Sequence, residues 1–331
     1  MLTTGTSYFG NRMLDHYLSD LKDMKEHHCN SVLHCFSEND YFFYKDSMKD
    51  IVAASHDAGL EVYIDPWAVG GVFGGEADWR WVPKNLETSQ IRMDGKILGM
   101  ACPNQPKFRE FMKDWIRTAL DTGADIAFWD EPHFYLPGWC GDPRDYWACR
   151  CNVCQEMYQA QFGEPLPLVK TPEVKQFQAE SLYNFLREMC ITVKEYKPHV
   201  RNCICLLPYR DTLETWERFA SIPELDIIGT DPYWLWGGDP EEMVRFFSER
   251  IMECAGKHNK EGQIWIQGFK IVKGKEEEVS KAIQTAYDCG IRNICTWAYR
   301  ACGQMSHLRC DDSPKVWDII GSSYKNLHQK E

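Results

Sequence analysis

Eight short apolar runs with strand character recur along this chain, separated by stretches whose apolar residues follow a helical period. The runs fall at roughly 3–9, 31–37, 61–67, 125–131, 202–208, 226–233, 263–269 and 293–299. Strands alternating with helices predict βα units and a parallel sheet. The clearest helical stripe is Phe108, Phe111, Met112, Trp115, Ile116, Ala119 and Leu120, spaced for one buried face and read as core. Gly59 and Gly123 stand just before the third and fourth runs, where helix stops belong, and a last helix is expected near 313–327. The economical fold is an α/β, (β/α)8 TIM barrel occupying residues 1–331 as one domain. An open doubly wound sheet is the alternative, but no glycine-rich phosphate fingerprint follows the first run.

Two segments break the regular spacing, 68–104 after the third strand and 132–172 after the fourth. Both follow strand C-termini, the end of a barrel at which βα loops carry function.

The net charge of −12 argues against nucleic acid and anionic lipid as partners. The start Met1-Leu2-Thr3-Thr4-Gly5 lacks a basic and apolar secretory pattern, and no apolar run approaches a membrane span, so the expected location is cytoplasmic. Most of the 15 cysteines are then expected to be reduced, with Cys203, Cys205 and Cys295 acting as small hydrophobes in strands.

Carboxylates stand beside prolines and aromatic rings at three strand ends: Asp65-Pro66-Trp67, Asp130-Glu131-Pro132 and Asp231-Pro232-Tyr233-Trp234. Proline ends the strand ladder and fixes the turn, holding the carboxylate at the rim. Cleavage of a glycosidic bond needs two carboxyl groups, one protonated for the leaving oxygen and one ionised to attack or to activate water. Adjacent strand residues point to opposite faces, so Asp130 and Glu131 share a pocket only if the strand ends between them. Glu131 is the first choice for the acid. Trp67, Trp129, Trp234, Trp236 and Trp297, with Tyr233 and Tyr299, are candidate walls for sugar rings, or else packing residues. His34, His133, Tyr209, Gln267 and Arg300 are candidates for binding sugar hydroxyls, and Glu76 for entering the pocket from the glycine-rich stretch 70–75.

Cys102 follows the third strand, and Cys149-Arg150-Cys151-Asn152-Val153-Cys154 follows the fourth. Four thiolates in two loops suit a closed tetrahedral zinc site with no open coordination position, hence a structural one. Cys140 is an alternative ligand.

Two resemblances follow from these motifs. Trp129-Asp130-Glu131-Pro132 resembles the Asn-Glu-Pro signature of the large clan of retaining (β/α)8 glycosidases, which implies Glu131 as acid/base, with Asp130 replacing the usual Asn. The cysteine order, with Cys102-Pro103-Asn104-Gln105-Pro106 and Phe108-Arg109, is similar to that of the zinc-containing β-galactosidases and implies zinc on Cys102, Cys149, Cys151 and Cys154. The matching motifs cover about the central third of the chain. At the seventh strand the clan's nucleophilic Glu is absent, and the residues read Ile264-Trp265-Ile266-Gln267. The second carboxylate is therefore expected elsewhere, first at Asp231, with Asp65 and Asp130 behind it. An arrangement with Asp130 as nucleophile and Asp231 as acid/base is also open.

The expected function is a glycoside hydrolase acting on a small or oligomeric carbohydrate, with no organic cofactor, and self-association is left open. A barrel that binds or isomerises sugar without hydrolysis is the alternative that Gln267 favours.

Overall fold

The computed structural model describes residues 1–210, 213–235 and 237–331; Trp236, one of the candidate sugar-stacking tryptophans, lies outside them. Eight parallel strands close a barrel: Thr3–Tyr8, Ser31–Cys35, Glu61–Asp65, Ile126–Asp130, Arg201–Leu206, Ile227–Thr230, Glu261–Gln267 and Asn293–Trp297. Each pairs with its neighbours in sequence, and the first pairs with the eighth in the register Gly5 opposite Cys295. All eight coincide with the apolar runs.

Strand side chains alternate between two buried environments, so both parities are apolar and the runs read as nearly continuous. One parity fills the barrel with Leu33, Tyr63, Ile126, Phe128, Cys203, Ile227, Trp265 and Cys295. The other, including Val32, Val62, Trp129, Ile204, Ile228, Ile264 and Ile294, packs against the helices. The 108–120 stripe lies on the helix Pro106–Leu120 with every named residue buried. The chain stops its helices where expected, with Gly59 at φ +72° and Gly123 at φ +103°, and the last helix is Ser313–His328.

The N-terminal end of the barrel is sealed by Arg201, whose guanidinium bonds Glu61 at 2.5 Å and Glu261 at 2.9 Å. One guanidinium there bridges two carboxylates. The two long segments lie at the opposite end. The first contains a small hairpin, Ser89–Ile91 with Ile97–Ala101, and the second the extra helix Asn152–Phe162. They are tied together: the Tyr135 N–H donates to Gln90 Oε1 at 2.9 Å, and Arg150 N–H to the Ile91 carbonyl at 2.7 Å. No helix is long and apolar enough to cross a membrane among the described residues.

Candidate active site

The parity that sends Tyr63, Phe128 and Cys203 to the barrel axis also sends Asp65, Asp130, Asp231 and Gln267 there, one layer nearer the C-terminal mouth. Glu131 joins them by breaking the rule. The strand ends at Asp130, and Glu131 has φ +39°, a left-handed turn that swings its side chain to the same side as that of Asp130. Three contacts hold this turn. The Glu131 N–H donates to the Cys205 carbonyl at 2.9 Å, the Gly74 N–H to the Asp130 carbonyl at 3.1 Å, and His133 Nδ1 to the Glu131 carbonyl at 2.6 Å. Burial lowers the His133 pKa to about 4, so the ring is neutral at pH 7 and Nδ1 must carry its proton to make that bond.

Gly74 covers the pair. A Cβ built on it would sit 2.6 Å from Asp130 Oδ2 and 2.7 Å from Glu131 Oε2, so these two oxygens are at most about 5.3 Å apart. Gly74 has an ordinary backbone conformation, and only the space requires glycine there. Gly74→Ala is expected to fold with little change in Tm while displacing both carboxyls. If these carboxyls do the chemistry, kcat falls by up to about 10²-fold, since misplacement of order 1 Å costs that much. Thermal melts beside steady-state kinetics check both halves.

The carboxyl of Glu131 lies against that of Asp231. Loss of hydration raises both pKa values well above the usual carboxylate range, and for Glu131 the Asp231 charge is the next cause. The hydrogen bond between them adds to the rise at Glu131 and offsets part of the rise at Asp231, so both carboxyls stay well above the usual carboxylate range. Asp130 is raised by burial and then by Glu131; Asp65 is raised by burial and then by Asp130. Asp65 is fully buried with neither oxygen hydrogen-bonded, and Oδ1 of Asp231 and Oε1 of Gln267 also lack partners. Gln267 donates from Nε2 to the Phe269 carbonyl at 2.9 Å, which fixes its amide and turns Oε1 away from that bond. Glu76 stands at the rim, where its charge raises Asp65, Asp130 and Glu131 in turn.

Aromatic rings line the mouth. Phe9 stacks on Trp67 with ring centres 5.1 Å apart and tilts against Trp297 at 5.4 Å, and Tyr233 meets Phe269 edge-on at 5.0 Å. Trp67, Tyr233, Gln267 and Trp297 are therefore brought to the carboxylates as expected. Phe9, Phe269 and Gly74 were not anticipated. Counting the inward parity of the first strand from Gly5 through Ser7 would have found Phe9; no local signal marks Gly74.

Four expectations are corrected by parity and packing. Trp129 points outward, fully buried against Phe73 and Trp115, with Nε1 donating to Asn202 Oδ1 at 3.1 Å. His34 also points outward, to Ser55 Oγ at 3.2 Å, with its pKa pushed down to about 3 by burial. Trp234 is buried in the layer between strands and helices. Arg300 pairs with Asp23 at 2.9 Å and lines a groove of about 1020 Å³ that runs from Phe9 between the first and last helices, with Asp20, His27 and Trp317. None of the four reaches Glu131. Tyr299 donates to Asp20 and Asp23 on that same outer side, and His133 and Tyr209 border a smaller cleft beside the fourth-strand loop.

The four cysteines meet as the spacing predicts. The sulfurs of Cys102, Cys149, Cys151 and Cys154 are buried and all lie within 4.8 Å of one another, with Cys102 and Cys154 3.4 Å apart. A tetrahedron with ~2.3 Å metal–sulfur bonds has edges of about 3.8 Å. Donors surround the sulfurs as thiolates require: Ile91 N–H and Cys151 N–H point to Cys149 at 3.4 and 3.3 Å, and the Asn104 amide to Cys154 at 3.4 Å. The donor set fits a metal ion. Cys140 is exposed and outside the cluster, so it is no ligand of it.

No family model matches the sequence, and no curated protein matches it. Solved structures share the fold. A β-galactosidase from the Antarctic haloarchaeon Halorubrum lacusprofundi superposes with TM-score 0.73 at 12% identity, over 99% of this chain and 58% of its own. A GH42 β-galactosidase from G. stearothermophilus gives 0.74 at 13% identity, over 99% and 57%. An endo-1,4-β-D-mannanase from Thermotoga petrophila gives 0.57 at 12% identity, over 98% and 99%. The chain thus spans under three fifths of the β-galactosidases it resembles in fold.

Proposed function

We propose that this barrel is a glycoside hydrolase in which Glu131 donates the proton and Asp231 is its partner carboxylate. One observation carries the reading: the carboxyls of Glu131 and Asp231 stand together at the C-terminal mouth of the barrel, among aromatic rings, with both pKa values raised by burial. The fold shared with solved β-galactosidases and a mannanase supports it.

In the proposed reaction the Glu131 carboxyl protonates the glycosidic oxygen as the bond from the anomeric carbon to that oxygen breaks. The nearness of the two carboxyls favours attack by Asp231 itself over activation of a water between them. In this reading Asp231 attacks the anomeric carbon, and Glu131, now ionised, takes a proton from the water that releases the sugar with retained configuration. Trp67, Phe9 and Trp297 offer apolar faces to the ring, and the oxygens of Asp65 and Gln267 accept hydrogen bonds from its polar substituents. Zinc is the metal we assign to Cys102, Cys149, Cys151 and Cys154; four thiolates fill its coordination sphere, so it fastens the two long loops and takes no part in bond cleavage. The whole chain is proposed to act as one catalytic domain.

Rate should follow a bell-shaped pH profile. Asp231 must lose its proton on the acid limb and Glu131 must keep its own on the basic limb; since both pKa values are raised, the optimum sits above the usual carboxylate range. A panel of aryl glycosides in both anomeric forms, followed by NMR of the first-formed product, tests activity and stereochemistry together. Gln267, at the strand end where the retaining clan has its nucleophile, favours a second reading in which the barrel binds sugar without cleaving it. Binding with no release from any member of the panel selects that reading.

A further inference from the structure

Five carboxyl groups face one pocket at the C-terminal mouth, those of Asp65, Asp130, Glu131, Asp231 and, at the rim, Glu76. Hydrolysis uses two of them. Among the described residues, none of the five forms an ion pair, while at the other end of the same barrel Arg201 bridges Glu61 and Glu261. Lys270 acts on Glu76 from a distance, its ammonium in contact with His307 at 3.2 Å, and Arg12 is paired with Asp40.

Acceptors outnumber donors among the unpartnered buried polar atoms here. Both oxygens of Asp65, Oδ1 of Asp231 and Oε1 of Gln267 are acceptors, on side chains no more than 4% exposed, against one donor, the Trp67 indole N–H, and the Ser7 hydroxyl. Gln267 is uncharged, so its orphaned oxygen speaks for a donor-bearing ligand independently of the acidic cluster. Buried acceptors without donors are costly, and so are like charges held together without a counter-ion.

A metal cage does not fit these groups: among the described residues, only the four cysteines bring three or more ligand atoms within 4.8 Å of one another. The carboxyls come from the ends of three different strands and from the rim, with the aromatic rings of Phe9, Trp67 and Trp297 beside them. A sugar hydroxyl brings one donor and no charge. A primary ammonium brings three donors and the missing positive charge.

We infer that the substrate accepted in this pocket is a glycoside of an amino sugar with a free, unacetylated amine, its ammonium seated against Asp65 and Asp130, while Gln267 Oε1 across the barrel accepts from another donor of the same ring. This specifies the substrate class of the hydrolase proposed above and rests on that reading for the cleavage step alone. Acetylation of the amine removes the charge and two donors, so N-acetyl sugars are poor ligands.

Titration calorimetry of glucosamine, galactosamine and mannosamine against the parent hexoses and N-acetyl derivatives at pH 7 tests the inference. At least one amino sugar should bind ten-fold or more tighter than both its parent and its N-acetyl form, with the margin narrowing as salt rises. Asp65→Asn should reduce that margin, and Glu76→Gln at the exposed rim should reduce it less, keeping the comparison available if the buried variant misfolds. Equal or tighter binding of the parent hexoses, or no binding of any amino sugar, overturns the inference. Cleavage of neutral aryl glycosides that is lost in Glu131→Gln would leave the hydrolase reading standing in that case. Amino-sugar preference without cleavage of any amino-sugar or neutral glycoside sinks the hydrolase reading and keeps this one.

Discussion

Glu131→Gln is expected to lower kcat by about 10²–10⁴-fold on substrates with poor leaving groups, the usual contribution of a positioned general acid. That range corresponds to about 3–5 kcal/mol of barrier at 1.36 kcal/mol per tenfold. Glutamine keeps the shape of the side chain and the turn at φ +39°, so the loss reports on the proton alone. Substrates with acidic leaving groups, which need little protonation, should lose much less. A kcat unchanged on poor leaving groups would remove Glu131 from the chemistry.

The same variant should be at least as stable as the parent at neutral pH. The pKa of Glu131 is raised on folding by burial and by Asp231, so above the ordinary carboxylate pKa the folded chain holds a proton that the unfolded chain has released. Stability from this group is therefore greatest in acid and falls as pH rises from the unfolded pKa to the raised folded one. Glutamine removes that decline. Denaturant melts across pH 4 to 8 should show a flatter pH dependence in the variant than in the parent, even as its activity is lost.

Cys154→Ser is expected to lose one bound metal ion per chain and to lower Tm by about 7–11 °C. A four-cysteine zinc supplies about 10–16 kcal/mol in small peptides, and even a third of that matters at roughly 2 °C per kcal/mol in a chain this long. The effect should reach the proposed catalytic groups, because the cluster joins the two loops that frame them. Cys102 belongs to the segment that also supplies Gly74, whose N–H bonds the Asp130 carbonyl, while the other three cysteines follow the turn at Glu131. Metal content by plasma emission, together with Tm and kcat before and after chelation, checks the chain of effects. A metal-free parent that melts at the same temperature as the loaded protein would reject the structural role.

The barrel was legible because its signal is repeated eight times and each strand is buried on both faces. The strand ends were legible too, since proline beside a carboxylate marks where a ladder stops, as at Asp65, Asp130 and Asp231. The cysteine cluster was legible from local spacing, and the packing kept the four residues expected while leaving Cys140 exposed. Trp129 and His34 were misplaced for the opposite reason: an aromatic ring or a histidine near a strand end reads alike whichever face it takes, and parity decides the face only once the register is fixed.

By itself, then, the sequence determined the number and order of the βα units, the strand-end carboxylates and the four thiols, all features written in short-range patterns. Only the tertiary structure decided that these carboxyls are raised well above the ordinary carboxylate range. That depends on the contact between Glu131 and Asp231, on a left-handed turn no propensity predicts, and on the absence of any paired cation among the described residues around them. These are through-space electrostatic facts between residues 100 positions apart, and a linear pattern has no term for them.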